Sequence, residues 1–430
     1  MMRVLWVVNT VFPDAARKLG ISPPVVGGWM YGLAADLSLD RSILLAVATV
    51  YHGKELLNFE VDGIRYYLIP QGAKNHARDS LTKSWRTVAS DFEPDLVHIH
   101  GTEYGHGMAL MDTCLDLKYV VSIQGLVSVY YRYFMAGLTV WDALRNAKPW
   151  QFLKGSTLLH VRHSFRKQGI VEKEYVDRAT AVIGRTDWDR SHVEAMNPGV
   201  RYCFCNESLR DEFYTDDRWS LDSCRRYSIF LSQAGTPIKG LHQVLKALAL
   251  LGDEFPEIVV NVAGPDITSS SAPLARFRRS GYGRYIHGLI KRFGLEGKVR
   301  FLGPMRADEM RQAYLSAHVF ICPSSIENSP NSLGEAQILG VPCIASYCGG
   351  VPYMVRDGET ALLYRFEEHE MLASRIRTLF YSDETAGSLS KSGLAEALSR
   401  HDRRVNADAL KSIYQDVVLS PIKGSVGYPA

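Results

Sequence analysis

Glu327 and Glu335 are separated by seven intervening residues, and Lys239 precedes Gly240 at the head of an apolar run. These residue types suit a phosphorylated ligand, provided a backbone holds them together. Val319–Gly340 (VFICPSSIENSPNSLGEAQILG) predicts such a backbone: a strand over Val319–Cys322, a polar turn carrying Glu327, and a helix over Asn331–Leu339. Ser329 is the expected N-cap, Pro330 the first helical residue and Gly340 the stop. The opening amides of a helix lack partners within it and lie at the positive end of its dipole, so Asn331, Ser332 and Leu333 offer a phosphate site without a cation. Glu335 lies four residues after Asn331, on the same face, one turn or roughly 5.4 Å further along. That offset matches the step from a diphosphate to a ribose, whose hydroxyls the carboxylate can accept. Glu327, still in the loop, faces whatever lies beyond the phosphates, and Lys239 adds a point charge at a second helix start.

The elements that must place these residues alternate. Apolar, β-branched runs at 3–9, 43–50, 64–69, 95–100, 119–123 and 181–184 are separated by helical patterns, which predicts βαβ units and a parallel sheet. A second series follows at 228–232, 258–264, 299–302, 319–322 and 362–364. Gly27 and Gly28 precede the first long helix, where paired glycines allow close backbone approach to a ligand, although an ordinary turn has the same composition. His98 and His100 share one strand face; His98 suits the core, and His100, at the carboxyl end, is the cleft candidate. Gln124 and Arg185 also stand at carboxyl strand ends.

Glu327, Glu335 and the following Gly349-Gly350-Val351-Pro352 resemble the E-x7-E signature and glycine loop of the retaining family 4 glycosyltransferases. DLVHIHG (Asp95–Gly101), the Gly27–Gly28 loop and Lys239–Gly240 are similar to further motifs of that family. The resemblance implies an α/β chain of the GT-B fold, two doubly wound Rossmann-like domains facing a central cleft. The expected boundaries are 1–205 on the acceptor side, 206–400 for the nucleotide sugar, and 401–430 as a helix returning to the first domain plus a tail. It further implies transfer of a sugar from a nucleotide diphosphate sugar to a saccharide, lipid-linked or free, in polysaccharide or glycoconjugate synthesis. In that family Glu327 would orient the donor sugar, Glu335 would hold the ribose, Lys239 would grip the diphosphate, and no metal or other cofactor would be needed. Two departures stand out. Ala234 occupies the place of a phosphate-loop arginine, for which Arg185 or Arg210 would have to substitute. Gln124 replaces a histidine and cannot titrate. A nucleotide-sugar epimerase, a sugar phosphorylase and a two-lobed sugar-binding protein are the alternatives.

The whole chain limits the remaining classes. Its 430 residues exceed one ordinary core, and a hydrophobic fraction of 46% with 22% charged residues is that of a globular protein. A net charge of +3 is too weak to argue for nucleic acid, and none is expected as a partner. Seven cysteines without metal-ligand spacing read as buried thiols, and no apolar run of about 18 residues could cross a bilayer. The start reads as a first strand rather than a leader, which predicts a cytoplasmic protein, with the membrane's inner face as one place of work. Ser128–Gly169 is aromatic and basic; it reads as ordinary packed helices or as a contact with an acceptor or an anionic membrane. Arg276, Arg278 and Arg279 belong to a Ser- and Arg-rich loop read as solvated.

Overall fold

The computed structural model describes residues 1–22, 27–71, 81–269 and 279–420. Pro23–Val26, Arg276, Arg278 and the tail after Ser420 lie outside the described residues. The chain divides into two compact units: residues 1–128, 168–211 and 401–430 form the first, and 129–167 with 212–400 form the second.

The first unit is built on eight strands: β1 (Met2–Val7), β2 (Ile43–Tyr51), β3 (Leu57–Val61), β4 (Ile64–Pro70), β5 (Leu96–His100), β6 (Tyr119–Ser122), β7 (Ala181–Gly184) and β8 (Arg201–Phe204). Their order is β3-β4-β2-β1-β5-β6-β7-β8, and every pair is parallel except the β3–β4 hairpin. Inner strands such as Val4–Val7 are buried on both faces, which is why they read as unbroken apolar runs. The sequence patterns missed β3, a half-exposed edge strand whose LNFEV mixes polar and apolar positions. Crossovers leave β1 in opposite directions, toward β2 and toward β5, and ligands gather at the carboxyl ends of such a switch.

The helix Arg403–Leu419 closes this unit from behind the sheet. Its Tyr414 is buried, and the hydroxyl accepts from Trp6 Nε1 at 2.8 Å while lying 2.6 Å from His98 Nδ1. His98 Nε2 meets Ser122 Oγ at 2.7 Å. His98 is thus a hydrogen-bonded core residue, and burial, reinforced by His100, holds it neutral.

The second unit carries six parallel strands: β9 (Arg225–Leu231), β10 (Val259–Val262), β11 (Val299–Phe301), β12 (Ala317–Cys322), β13 (Cys343–Ser346) and β14 (Leu362–Tyr364). Their order, β11-β10-β9-β12-β13-β14, reverses between β9 and β12. The segment 129–167 packs within this second unit, although sequence order places it among the strands of the first. Ala136 accepts from His242 Nε2 at 2.8 Å, and Gln151 Oε1 accepts from Arg284 at 2.7 Å. All seven cysteines are free thiols.

Replacing Tyr414 by Phe strands the Trp6 indole N–H and the His98 ring in the core. We expect a loss of about 2–3 kcal/mol in urea unfolding of the full chain, with an unchanged m-value.

Candidate functional site

The second unit places Lys239 and Glu327 at its switch point, on the loops that leave β9 and β12. Lys239 Nζ lies 2.6 Å from Glu327 Oε1, which also accepts from Ser324 Oγ at 2.7 Å. Two glycines create this approach. Gly240 has φ +72°, and a Cβ there would stand 1.7 Å from the Pro323 carbonyl oxygen. Gly349 has φ +50°, and its Cβ would stand 1.9 Å from the Glu327 carbonyl oxygen. No side chain fits either position, so both loops press directly onto the Glu327 turn. Ser325 N–H donating to Ile238 O at 2.8 Å and Gly350 N–H donating to Glu327 O at 3.0 Å complete the clamp. Burial opposes the charge on Lys239, but the charge and hydrogen bond of Glu327 outweigh it and raise the lysine's pKa, so the cation persists.

The helix after this turn runs Asn331–Ile338, one residue shorter than the sequence predicts. Its N-cap is Pro330 rather than Ser329, because the Pro330 carbonyl accepts the first helical bonds. No side chain caps the end. Leu333 N–H, expected to be open, donates to Pro330 O at 2.9 Å and so is not available. The Ser332 amide has no partner among the described residues. Glu335 is buried, with the Tyr314 hydroxyl shared between its Oε2 at 3.4 Å and Ser332 O at 3.0 Å. Tyr314, Ser324 and Tyr130, whose hydroxyl accepts from Asn328 N–H at 3.2 Å, escaped the sequence reading. None belongs to a local pattern, and their roles follow from packing alone. A wider groove of about 650 Å³ in the same unit includes none of these residues.

In the first unit, Gly27, His100 and Gln124 line one pocket of about 310 Å³ with Asn9, Trp29, Glu103 and Tyr104. His100, the cleft candidate, lines this pocket but is only 2% exposed, its ring centroid 3.8 Å from that of His98 and 4.3 Å from that of Trp6. Burial pushes its pKa down to about 3, so it is a neutral wall. Arg185 also turns inward: it pairs with Glu207 and donates to the Ile123 and Gln124 carbonyls at 2.9 and 3.2 Å. Those partners hold it in the interior of the first unit. Arg210, the other candidate, lies against Gly28, where an added Cβ would stand 3.1 Å from its Cγ. Gln124 Nε2 donates to Glu207 Oε1 at 3.3 Å. The pocket's titrating group is Glu103, whose pKa burial raises to about 7 against the backbone amides that favour its anion.

Residues 216–395 match the family described as glycosyl transferases group 1. The D-inositol 3-phosphate glycosyltransferase of Corynebacterium glutamicum is 26% identical over 326 residues, spanning 67% of this chain and 72% of that protein. Sucrose-phosphate synthase from Thermosynechococcus elongatus superposes with a TM-score of 0.73 at 15% identity, over 97% of this chain and 99% of that one. Anabaena HepE, solved with UDP and glucose, gives 0.66 at 16% identity, over 96% and 100%. These likenesses establish a GT-B architecture for the two α/β units.

Glu103 makes a pH prediction. Its folded pKa of about 7 exceeds the ordinary 4.5, so the folded chain keeps a proton that the unfolded chain releases. Stability from this group is therefore complete below pH 4.5 and falls by up to about 3 kcal/mol as pH rises through 7. Glu103→Gln cannot lose that proton. Its melting temperature is expected to exceed that of the wild type at pH 8, and the difference to shrink by pH 5.

Proposed function

Because the chain belongs to the group 1 glycosyl transferases, we propose that it transfers a sugar from a nucleotide diphosphate sugar to a saccharide hydroxyl, with retention at the anomeric carbon. The observation that carries this reading is the Lys239–Glu327 pair, held at a switch point beside an uncapped helix start. In it, Lys239, the Ser332 amide and the helix dipole neutralise the diphosphate, and Glu335 takes the ribose hydroxyls. Arg210, against Gly28, supplies the cation that Ala234 lacks. Glu327 orients the sugar hydroxyls and places negative charge near the oxocarbenium-like carbon.

The acceptor oxygen bonds to the anomeric carbon on the face from which the diphosphate departs. As the carbon–oxygen bond to phosphate breaks, the leaving phosphate oxygen takes the acceptor proton. No protein base is required, which accommodates Gln124 and a neutral His100, and no metal enters the scheme. HepE was solved with UDP and the Corynebacterium relative is named for inositol 3-phosphate, which makes UDP-sugars and hydroxylated ring acceptors the first to try. Glycoconjugate or polysaccharide synthesis, with a lipid-linked acceptor as one form, is the setting this reading favours.

Titration calorimetry with UDP-, GDP-, ADP- and dTDP-sugars in chelator tests the site. One sugar nucleotide is expected to bind, and Glu335→Ala to weaken it roughly 10- to 100-fold through lost charged hydrogen bonds. Glu327→Ala should abolish turnover while changing donor affinity much less. A requirement for a divalent ion, together with indifference to both substitutions, would sink the assignment; turnover of the donor sugar without any acceptor would favour an epimerase.

Arg210 and Arg185 separate cleanly. Arg210→Ala is expected to weaken the donor about tenfold, with a stability loss smaller than that of the Arg185 variant. Arg185→Met takes the ion-pair partner from the buried Glu207, so it should lower unfolding stability by about 3–5 kcal/mol. Equal donor losses in both variants at unchanged stability would overturn this division.

A further inference from the structure

Residues 129–167 carry seven Lys or Arg against a single acid, Asp142. That acid is occupied: its carboxylate accepts from Thr139 N–H at 2.9 Å and from the Thr139 hydroxyl at 2.7 Å, capping the short helix Val140–Arg145. The segment is firmly attached on one side. Ala136 bonds His242, Phe134 lies buried with its ring centroid 5.4 Å from that of Phe165, and Arg284 binds Gln151 and the Asn146 carbonyl. Asn146 follows the helix Val140–Arg145, and Gln151 lies in the helix Pro149–Leu153. One arginine therefore fastens both helices to the same place.

Their other side is unusually apolar for a surface. Trp141 is 70% exposed and Leu153 89%, accompanied by exposed Val140, Leu144 and Phe152. Elsewhere in this unit exposed large apolar residues are scattered along the chain, as is normal for soluble surfaces. Arg145 and Lys154 form no ion pair among the described residues, and Lys154 lies over the Trp150 ring at 5.7 Å. Aromatic and leucine side chains interspersed with cations, and almost no acid, match the boundary between acyl chains and anionic headgroups. No described helix is long and apolar enough to cross a bilayer, so the contact would be interfacial.

We propose that the helices Val140–Arg145 and Pro149–Leu153 form an interfacial anchor for an anionic lipid bilayer. Trp141, Phe152 and Leu153 enter the headgroup boundary, while Arg145, Lys148 and Lys154 meet lipid phosphates. The anchor is separate from the donor residues and does not depend on which sugar nucleotide they take.

The test is flotation of the full chain with vesicles of phosphatidylcholine containing 30% phosphatidylglycerol, against phosphatidylcholine alone. We expect binding only to the anionic vesicles in 0.1 M salt, and at least a fivefold loss in 0.5 M salt. Trp141→Glu with Leu153→Glu should reduce the bound fraction at least fivefold, at an unchanged melting temperature. Arg145→Glu with Lys154→Glu, which spares the apolar side chains, should remove the preference for phosphatidylglycerol. The proposal fails if the wild type ignores anionic vesicles, or if both double variants float as it does. It also fails if gel filtration finds a dimer that the Trp141→Glu, Leu153→Glu variant loses, since the face would then belong to a second copy.

Discussion

The second unit depends on close backbone contact. Lys239 and Glu327 come from loops 88 residues apart, and their hydrogen bond exists only because two glycines let three chain segments touch. A methyl group at Gly240 or Gly349 would overlap a carbonyl oxygen. The parallel sheet sets the coarse geometry by bringing the ends of β9 and β12 side by side. The glycines then convert adjacency into a 2.6 Å contact. The result is electrostatically balanced before any ligand arrives: a half-buried cation and a buried carboxylate neutralise each other, which avoids the cost of burying either alone. An arriving diphosphate would compete for a lysine that is already charged.

The first unit solves its buried polarity differently. Arg185 is nearly surrounded, by Glu207 and two carbonyl groups, and Glu207 also takes Gln124. This network shapes the floor behind the pocket. Glu172 behaves similarly: fully buried, it accepts from Thr102, Val127 and Ser128, which pins the strand ends next to the pocket. Glu103 is less well served. One of its carboxylate oxygens is buried without a partner among the described residues, and its proton affinity rises accordingly.

The segment 129–167 links chain order to function in an unexpected way. It interrupts the first unit in sequence but packs in the second, where Tyr130 and Tyr133 bond the loop that carries Glu327. A movement of this segment would therefore be felt at Asn328 and Ser325, next to the carboxylate. Its aromatic residues divide between that contact and the solvent-facing side.

Much of this protein was determined by local sequence. Alternating apolar runs specify parallel βαβ units, because strands buried on both faces must be continuously apolar, and most of the strands lie within a residue or two of those runs. Glu327, Glu335 and Lys239 were legible because a strand, a turn and a helix start have signatures of their own. Tertiary structure alone decided which polar groups are free. Arg185 and His100 sit at carboxyl strand ends, as predicted, but side-chain partners from Glu207 and Trp6 close around them. Leu333 was lost to the carbonyl of Pro330, and Glu103 gained importance only when burial raised its pKa. Periodicity reports which face a residue takes; it carries no information about desolvation or about partners distant in the chain, and those two quantities decide whether a charge is structural or available to a ligand.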